Sequence, residues 1–194
     1  MCHCCKVGKA KRLPTKSKTV KIKTDKEGIL KDGDLQPGSK VSTDQYTSSL
    51  LGRRTHTRGK EPDREKFVGG TIYYDHATQF IYNINQVSLN ANETIKGKRE
   101  FERELAQYGR KVKQYRGDNG IYRSKEFLDE LSIRDQTIEF CGVGAHHQNG
   151  VAERAIQTIS YSSRTMILFV AMHWSDEAKL NLWPLVIYYF VYLE

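Results

Sequence analysis

The amino-acid sequence predicts an α/β fold, in which a mixed five-stranded sheet carries helices on both faces. Strand-like runs come first, at 40–46, 67–75 and 79–87, with turn-forming residues between them, which is typical of a meander. The spacing of apolar residues then becomes helical, and helices alternate with short strands. Strands first and alternation afterwards favour a sheet with antiparallel and parallel pairs, in the order β-β-β-α-β-α-β-α-α.

The first half of the chain supplies three predicted strands. "KVSTDQY" (40–46) has the β-branched residues of a short strand, and the charged segment 47–66 is expected to be a long exposed loop. "FVGGTIYYD" (67–75) and "QFIYNINQV" (79–87) are predicted to form a hairpin through "DHAT" (75–78).

Helical spacing begins near Glu93. Phe101, Leu105 and Tyr108 follow one another at i, i+4 and i+7, which predicts a helix to Tyr108 with one apolar face. The remaining predicted elements are a strand at 111–120, a helix at 124–133, a strand at 137–142, a helix at 151–170 and a final apolar helix from Asp176. Ser124 is the expected N-cap of its helix, and Pro184 is expected to kink the last one.

Positive charge is concentrated near the start of the chain. Residues 1–40 contain 11 Lys and Arg against 4 Asp and Glu, whereas residues 41–194 contain 20 against 19, so the first segment supplies most of the net charge of +8. Such an arm suits a polyanion such as nucleic acid, although a solvated, disordered tail has the same composition. We predict an arm at 1–36 and a folded domain at 37–194, separated at the turn signal "QPGSK".

Cysteine usage and hydropathy predict an intracellular, soluble protein in a reducing compartment. Three of the four cysteines lie in the first five residues and the fourth is Cys141, which is not the spacing of a disulfide framework. No apolar signal segment follows Met1. The longest apolar run, 185–193, is too short to span a membrane.

Three acidic residues stand apart from the others, most of which are expected in solvent-exposed positions beside Lys or Arg on predicted helices. Asp44 lies inside the first strand, where a charge needs compensation. Asp118 ends the "YRGDNG" strand, where Gly117 and Gly120 free the backbone, and Glu153 lies in the first turn of the helix after "GVGAHHQNG". Strand ends and helix starts gather at one edge of an α/β sheet, so we expect the three carboxylates to meet there.

Three carboxylates in a small space require a cation. Oxygen ligands without histidine or thiolate suit Mg²⁺ or Mn²⁺. Two such ions about 3.5–4 Å apart would clamp the attacking and leaving oxygens of an in-line phosphoryl displacement. The set therefore predicts a site for two divalent ions that acts on a phosphodiester.

Each acid also has a simpler interpretation. Asp118 before Asn-Gly is a common turn residue, Glu153 suits the positive end of a helix dipole, and Asp44 suits a strand edge protected against aggregation. It is the order and spacing of all three that favour a shared site. Asp75 is acidic too, but a turn role in "DHAT" explains it fully.

Four blocks of the sequence resemble the integrase region of copia-type (pseudovirus) retrotransposon polyproteins, a branch of the retroviral integrase superfamily with a ribonuclease H-like fold. The blocks are "VSTDQY", "GGTIYYDHAT", "YRGDNG" and "GVGAHHQNGVAERAIQT", and "LWP" (182–184) is similar to a later helix of that family. The resemblance covers about 37–193, and it implies that the chain is a fragment of a Pol polyprotein.

The resemblance implies that Asp44, Asp118 and Glu153 are the catalytic, metal-binding triad of a polynucleotidyl transferase. That family trims the 3′ ends of element DNA with water as the nucleophile and then joins them to target DNA with the 3′ hydroxyl as the nucleophile. In both phosphoryl transfers, metal binding and positioning do most of the work. Element and target DNA are the implied partners, together with further copies of the chain. Nuclear action after a cytoplasmic particle stage is the implied location.

The predicted DNA contacts lie around the helix that carries Glu153. They are His147, Gln148, Asn149, Arg154, Gln157 and Arg164, expected to hydrogen-bond phosphates or bases. His146 and His147 are equally explained as polar loop groups. Zinc binding by them is not expected, since no third ligand lies nearby.

The N-terminal cysteines resemble half of the family's zinc site, which joins a pair of histidines to a pair of cysteines. Cys2 and Cys5 match the cysteine pair, and the histidines have no counterpart upstream. His3 and Cys4 are badly placed to complete a tetrahedron. We therefore interpret 1–36 as a truncated half-site that does not bind Zn²⁺ well, and the C-terminus as truncated too.

Two other functions remain open on sequence grounds. The second hypothesis, based on the basic arm and the altered ends, is an inactive nucleic-acid-binding remnant. A related nuclease that cuts RNA–DNA hybrids is the third hypothesis, and the integrase-like blocks speak against it.

Overall fold

The computed structural model describes residues 4, 8, 35–141, 149–176 and 178–193. Its strands are β1 Lys40–Gly52, β2 Phe67–Asp75, β3 Ile81–Gln86, β4 Gln114–Gly117 and β5 Thr137–Phe140. Its longer helices are α1 Ala91–Gln107, α2 Lys125–Ile133, α3 Gly150–His173 and α4 Trp183–Leu193, and short 3₁₀ turns lie at Asp63–Glu65, Ile121–Arg123 and Leu180–Leu182.

The sheet is mixed, with strand order β3-β2-β1-β4-β5. The pairs β1–β2 and β2–β3 are antiparallel, as the hairpin signals predict. The pairs β1–β4 and β4–β5 are parallel, because a helix crosses over before each parallel strand. The predicted element order and the mixed five-stranded sheet are confirmed.

Each face of the sheet carries its own apolar core. On one face, residues of the strands pack with α1 and α2, around the buried side chains Val41, Tyr73, Phe101, Tyr115, Tyr122 and Phe127. On the other face, Ile72 packs with α3 and α4 through Ala155, Ile159, Trp183, Ile187 and Phe190. Helices therefore cover both faces, as predicted.

Several predicted boundaries are wrong, and the contacts explain why. β1 continues to Gly52 because it pairs again with β2 at Phe67, and Trp183 donates a hydrogen bond to the carbonyl of Leu50 at 2.9 Å. Pro184 lies in the first turn of α4, where its missing N–H costs nothing, so it does not kink a helix. Tyr108 is 70% exposed at the C-cap of α1, outside the apolar face predicted for it.

Two described residues of the N-terminal region lie against α3. Cys4 is buried with its sulfur 3.0 Å from that of Met172, and Gly8 packs on Thr165. The predicted boundary near residue 36 stays a prediction. None of the described helices is long and apolar enough to cross a membrane.

Charged side chains form a cluster between α1 and α2. The acids of this cluster are among those that the sequence predicted to lie on solvated helix faces. Glu130 is 4% exposed and accepts from Arg99 at 2.6 Å and from Arg134 at 2.7 Å. Lys98 is fully buried, with its ammonium 2.8 Å from a carboxylate oxygen of Glu102. The prediction that these acids are solvated is wrong, because cationic partners from a second helix bury them.

The cluster predicts an acid-sensitive contribution to stability. The hydrogen bond from Arg99 is the main reason that the pKa of Glu130 is lowered to about 2. An acid whose pKa is depressed on folding stabilises the protein above its unfolded pKa, and this contribution is lost as pH falls through the folded pKa. Glu130→Gln should lower the free energy of unfolding by about 1–3 kcal/mol at pH 7. The difference from wild type should shrink between about pH 4.5 and 2.

Urea unfolding of both proteins across this pH range measures the effect. Glu126→Gln is the matched control, because Glu126 is exposed on the same helix, and it should change stability by less than about 0.5 kcal/mol. A pH-independent difference for Glu130→Gln would contradict the assignment.

Candidate active site

The pairing of β1 with β4 brings the two predicted catalytic aspartates to the same region of the sheet. This parallel pairing matches Val41 with Tyr115 and Ser42 with Arg116. Asp44 lies two residues beyond the last matched pair, inside β1, which continues to Gly52. Asp118 lies two residues beyond the same pair and directly follows the last residue of β4.

Asp44 belongs to the sheet face that α3 covers. Side chains alternate along β1: Val41 and Thr43 are buried towards α1 and α2, whereas Tyr46 packs with the α3–α4 core. Asp44 shares the parity of Tyr46, so it lies on the α3 side. Asp118 comes after the last residue of β4, so strand alternation does not assign it to a face.

Tyr122 contacts the residue that precedes each aspartate, Thr43 and Gly117. Its hydroxyl lies 3.0 Å from the Thr43 hydroxyl, and its ring packs so closely on Gly117 that a Cβ there would approach it to 2.9 Å. Burial raises the pKa of Tyr122 above its ordinary value, the Thr43 hydrogen bond opposes this, and the negative charges of Asp44 and Asp118 add to the rise. The charges of both carboxylates therefore raise the pKa of the same hydroxyl.

Short contacts fix the turn that carries Asp118. One Asp118 oxygen accepts from the Gly120 amide at 3.1 Å, and Asn119 donates to the Cys141 carbonyl at 2.7 Å, which ties the turn to the end of β5. Neither Gly117 nor Gly120 has a positive φ, and Gly120 has φ −75° and ψ −116°, so the prediction that they free the backbone stays a prediction. Gly117 provides space for Tyr122.

The start of α3 is attached to β1 beside Asp44. Asn149, the residue before the helix, is 3% exposed and donates from Nδ2 to the Thr43 carbonyl at 3.2 Å. Glu153 follows one turn later and is exposed, while Ala152 and Ala155 are the buried residues around it. The helix that carries the third acid thus starts at the edge that holds the first two.

The predicted DNA-contacting residues divide into three groups. Arg154, Gln157 and Arg164 are exposed on α3, and the last two contact Tyr161, by a hydrogen bond of 3.2 Å and over its ring. Asn149 is buried against Thr43, and its contact with DNA stays a prediction. His146, His147, Gln148, Cys2, His3 and Cys5 lie outside the described residues.

Asp75 has the structural role predicted for it. It is 1% exposed and accepts from the Gly38 amide at 3.1 Å, as well as from the amide and hydroxyl of Thr78 at 3.2 and 2.6 Å. Its oxygens are used in closing the β2–β3 turn, so it is not available to a metal.

The donor set at the edge is suited to a hard divalent cation. Asp44, Asp118 and Glu153 offer carboxylate oxygens, and Asp44 is half-buried while the other two are exposed. Within the described ranges, no three or more His, Cys, Asp or Glu side chains are grouped closely enough to hold a metal ion. The β1–β4 pairing brings the two aspartates to the same region of the sheet, and the approach of Glu153 to them stays a prediction.

Sequence reasoning missed the residues that support the acids. Strand alternation alone would have placed Thr43 in the core. For Tyr122 no sequence signal exists, since its contact with Thr43 joins residues 79 positions apart. Asparagine before a helix is typical of a cap, and the hydrogen bond from Asn149 to Thr43 joins residues 106 positions apart, so no sequence signal predicts it.

The arrangement defines a class of fold: the ribonuclease H-like α/β fold of retroviral integrase catalytic cores. No protein-family model and no functionally curated protein matches the sequence. Solved structures do match, at sequence identities that establish the fold alone.

Three similar structures illustrate the likeness. The simian T-cell lymphotropic virus intasome in complex with PP2A regulatory subunit B56 gamma gives a TM-score of 0.54 at 14% identity, covering 78% of this chain and 48% of that one. The HTLV-2 integrase catalytic core domain in complex with magnesium, dimeric form, gives 0.50 at 18% identity, covering 77% and 86%. Its trimeric form gives 0.50 at 17%, covering 77% and 85%. The chain thus spans about half of the intasome protein.

Proposed function

We propose that this chain is an integrase-type catalytic core that cuts and joins DNA by metal-dependent phosphoryl transfer. The observation that carries the proposal is the parallel pairing of β1 with β4, because Asp44 and Asp118 each lie two residues beyond its last matched pair, Ser42 and Arg116. The fold shared with integrase cores supports it. Copia-type specificity and origin in a Pol polyprotein belong to this proposal and rest on the sequence blocks.

Asp44, Asp118 and Glu153 are the residues that would hold Mg²⁺ or Mn²⁺, as two ions. When bound, the ions would supply neutralisation of the anionic phosphodiester and activation of the attacking oxygen. Magnesium in the HTLV-2 core structures is consistent with this choice. The chain's own contribution is positioning, since Tyr122 and the Asp118 turn hold the two aspartates in place before substrate binds.

The exposed side of α3 is the surface that would meet DNA. Arg154 and Arg164 are ten residues apart on this helix and Gln157 lies between them, all exposed. Arginines placed to contact phosphates fix the register of a duplex without reading its sequence. DNA ends and target DNA are the proposed substrates, action in the nucleus is the proposed location, and self-association is proposed by analogy with the dimeric and trimeric HTLV-2 cores.

A strand-transfer assay tests the proposal. Purified protein, Mn²⁺ and a branched DNA that reports the reverse of strand transfer should give cleaved and rejoined products, and EDTA should remove them. An RNA–DNA hybrid in a parallel reaction separates an integrase from a hybrid-cutting nuclease. Cleavage of the hybrid alone would reject the proposal.

A second candidate function is nucleic-acid binding by the basic arm, because most of the net positive charge lies in residues 1–40. Replacing four arm lysines by glutamine should weaken binding to any duplex and lower the salt slope by about 0.9 per lost phosphate contact. The four are Lys16, Lys18, Lys21 and Lys23.

Fluorescence anisotropy across a range of salt concentrations measures this slope. Four exposed lysines of the folded domain, Lys60, Lys96, Lys111 and Lys125, provide a control with equal charge change. An equal loss in both variants would show a bulk charge effect and no specific role for the arm.

A further inference from the structure

We propose that Asn149 is a positioning residue: its side chain fixes the start of α3 to β1 and so sets the place of Glu153 relative to Asp44 and Asp118. The proposal rests on the proposed function, because it assigns a role within that site. It replaces the DNA contact that the sequence suggested for Asn149.

The first observation is the contact itself. Asn149 Nδ2 donates to the Thr43 carbonyl at 3.2 Å, across 106 positions of the chain. Thr43 is the residue before Asp44, and it is fully buried. The hydrogen bond therefore joins the residue before α3 to the backbone next to the first acid.

The second observation is that Asn149 does not cap its own helix. Asparagine before a helix normally accepts a hydrogen bond from the first turn. Asn90 does so at α1, accepting from the Glu93 amide at 2.9 Å, and Ser124 does so at α2. Asn149 makes no side-chain cap. The same residue type in the same place is thus used for an attachment to the sheet instead of for helix stability.

The third observation is an unsatisfied oxygen. Asn149 Oδ1 is buried and has no hydrogen-bond partner among the described residues. Buried acceptors without partners are rare, because they give up hydration without compensation. Two departures from the usual rules at one side chain, a missing cap and an unsatisfied oxygen, favour a functional constraint over packing.

The attachment determines the place of Glu153 because α3 is close to the sheet there. Ala152 and Ala155, the buried residues of its first turns, are small, so the helix lies near Ile72. Asn149 adds a fixed point at the end of this contact, one turn before Glu153. Without it, the first turn of α3 would be held only by alanine packing.

The experiment compares Mn²⁺ binding without DNA and steady-state kinetics with DNA. Asn149→Ala removes the donor. Asn149→Asp keeps the size but replaces the amide donor with a carboxylate, which cannot donate to a carbonyl when ionised. Ser160→Ala, on the exposed side of the same helix, is the matched control. Calorimetry gives the Mn²⁺ affinity, and branched-DNA turnover gives kcat and KM.

Both Asn149 variants should bind Mn²⁺ about tenfold more weakly and show a lower kcat, with KM for DNA within about twofold of wild type. Ser160→Ala should keep the wild-type Mn²⁺ affinity. Amide hydrogen exchange at 150–154 should quicken in the Asn149 variants only. An unchanged Mn²⁺ affinity with a raised KM would show a DNA contact and overturn the positioning role alone. If the wild-type protein shows no Mn²⁺ binding that the Asp118→Asn substitution abolishes, both the positioning role and the proposed function are overturned.

Discussion

Replacing Asp118 by asparagine should reduce metal-dependent strand transfer at least about 10³-fold while the fold is retained. Several kcal/mol of transition-state stabilisation depend on a metal held by carboxylates, and each 1.36 kcal/mol is a factor of about ten in rate. Asparagine keeps the shape of aspartate and removes the charge that compensates the cation. Asp118 is exposed, so the change removes no buried contact.

Asp44→Asn should have a loss of similar size, because the register gives both residues the same edge. Asp129→Asn, an exposed aspartate on α2, is the control and should keep wild-type activity. Thermal unfolding checks that each variant is folded. Activity in Asp118→Asn equal to that of wild type would remove the basis for an enzyme.

Replacing Phe101 by alanine should lower the free energy of unfolding by about 3–5 kcal/mol. Phe101 is fully buried in the core under α1, with its ring stacked on Tyr73 at 4.6 Å and 9°. Truncation loses apolar burial and leaves a cavity between the helix and the sheet. Because the same core holds Tyr122 below the aspartates, turnover should fall at temperatures where the variant begins to unfold.

Tyr108→Ala is the matched comparison for Phe101→Ala. The two residues lie about two helical turns apart, and the apolar spacing alone predicted both to be on the buried face, but Tyr108 is 70% exposed. Its replacement should change stability by less than about 0.5 kcal/mol. Chemical denaturation measures both variants, and equal losses would contradict the packing described for α1.

Local patterns predicted the fold well where the sequence carries its own signals. β2 begins and ends at the predicted residues, since a run rich in β-branched residues and tyrosines lies between turn-forming segments. Ser124 caps α2 as expected, because capping is decided within three residues. The order of elements followed from hydrophobic period, and this order alone brings the strands of Asp44 and Asp118 to one edge.

Contacts between residues far apart in the sequence could not be predicted from those local signals. The burial of Glu130 depends on Arg99, 31 positions away, so its sequence neighbours suggested a solvated helix face. The extension of β1 beyond residue 46 depends on Trp183, 133 positions from Leu50. Asparagine is a common helix cap, and only the structure shows that the Asn149 side chain donates to the Thr43 carbonyl of β1.

We propose that Asp44, Asp118 and Glu153 hold divalent cations beside the end of β4. Anomalous scattering from crystals soaked in Mn²⁺ would locate the ions. We expect a peak at coordination distance, about 2.0–2.2 Å, from oxygens of Asp44 and Asp118, and its loss in Asp118→Asn. Manganese found only at other carboxylates, or the same peak in the variant, would refute this assignment.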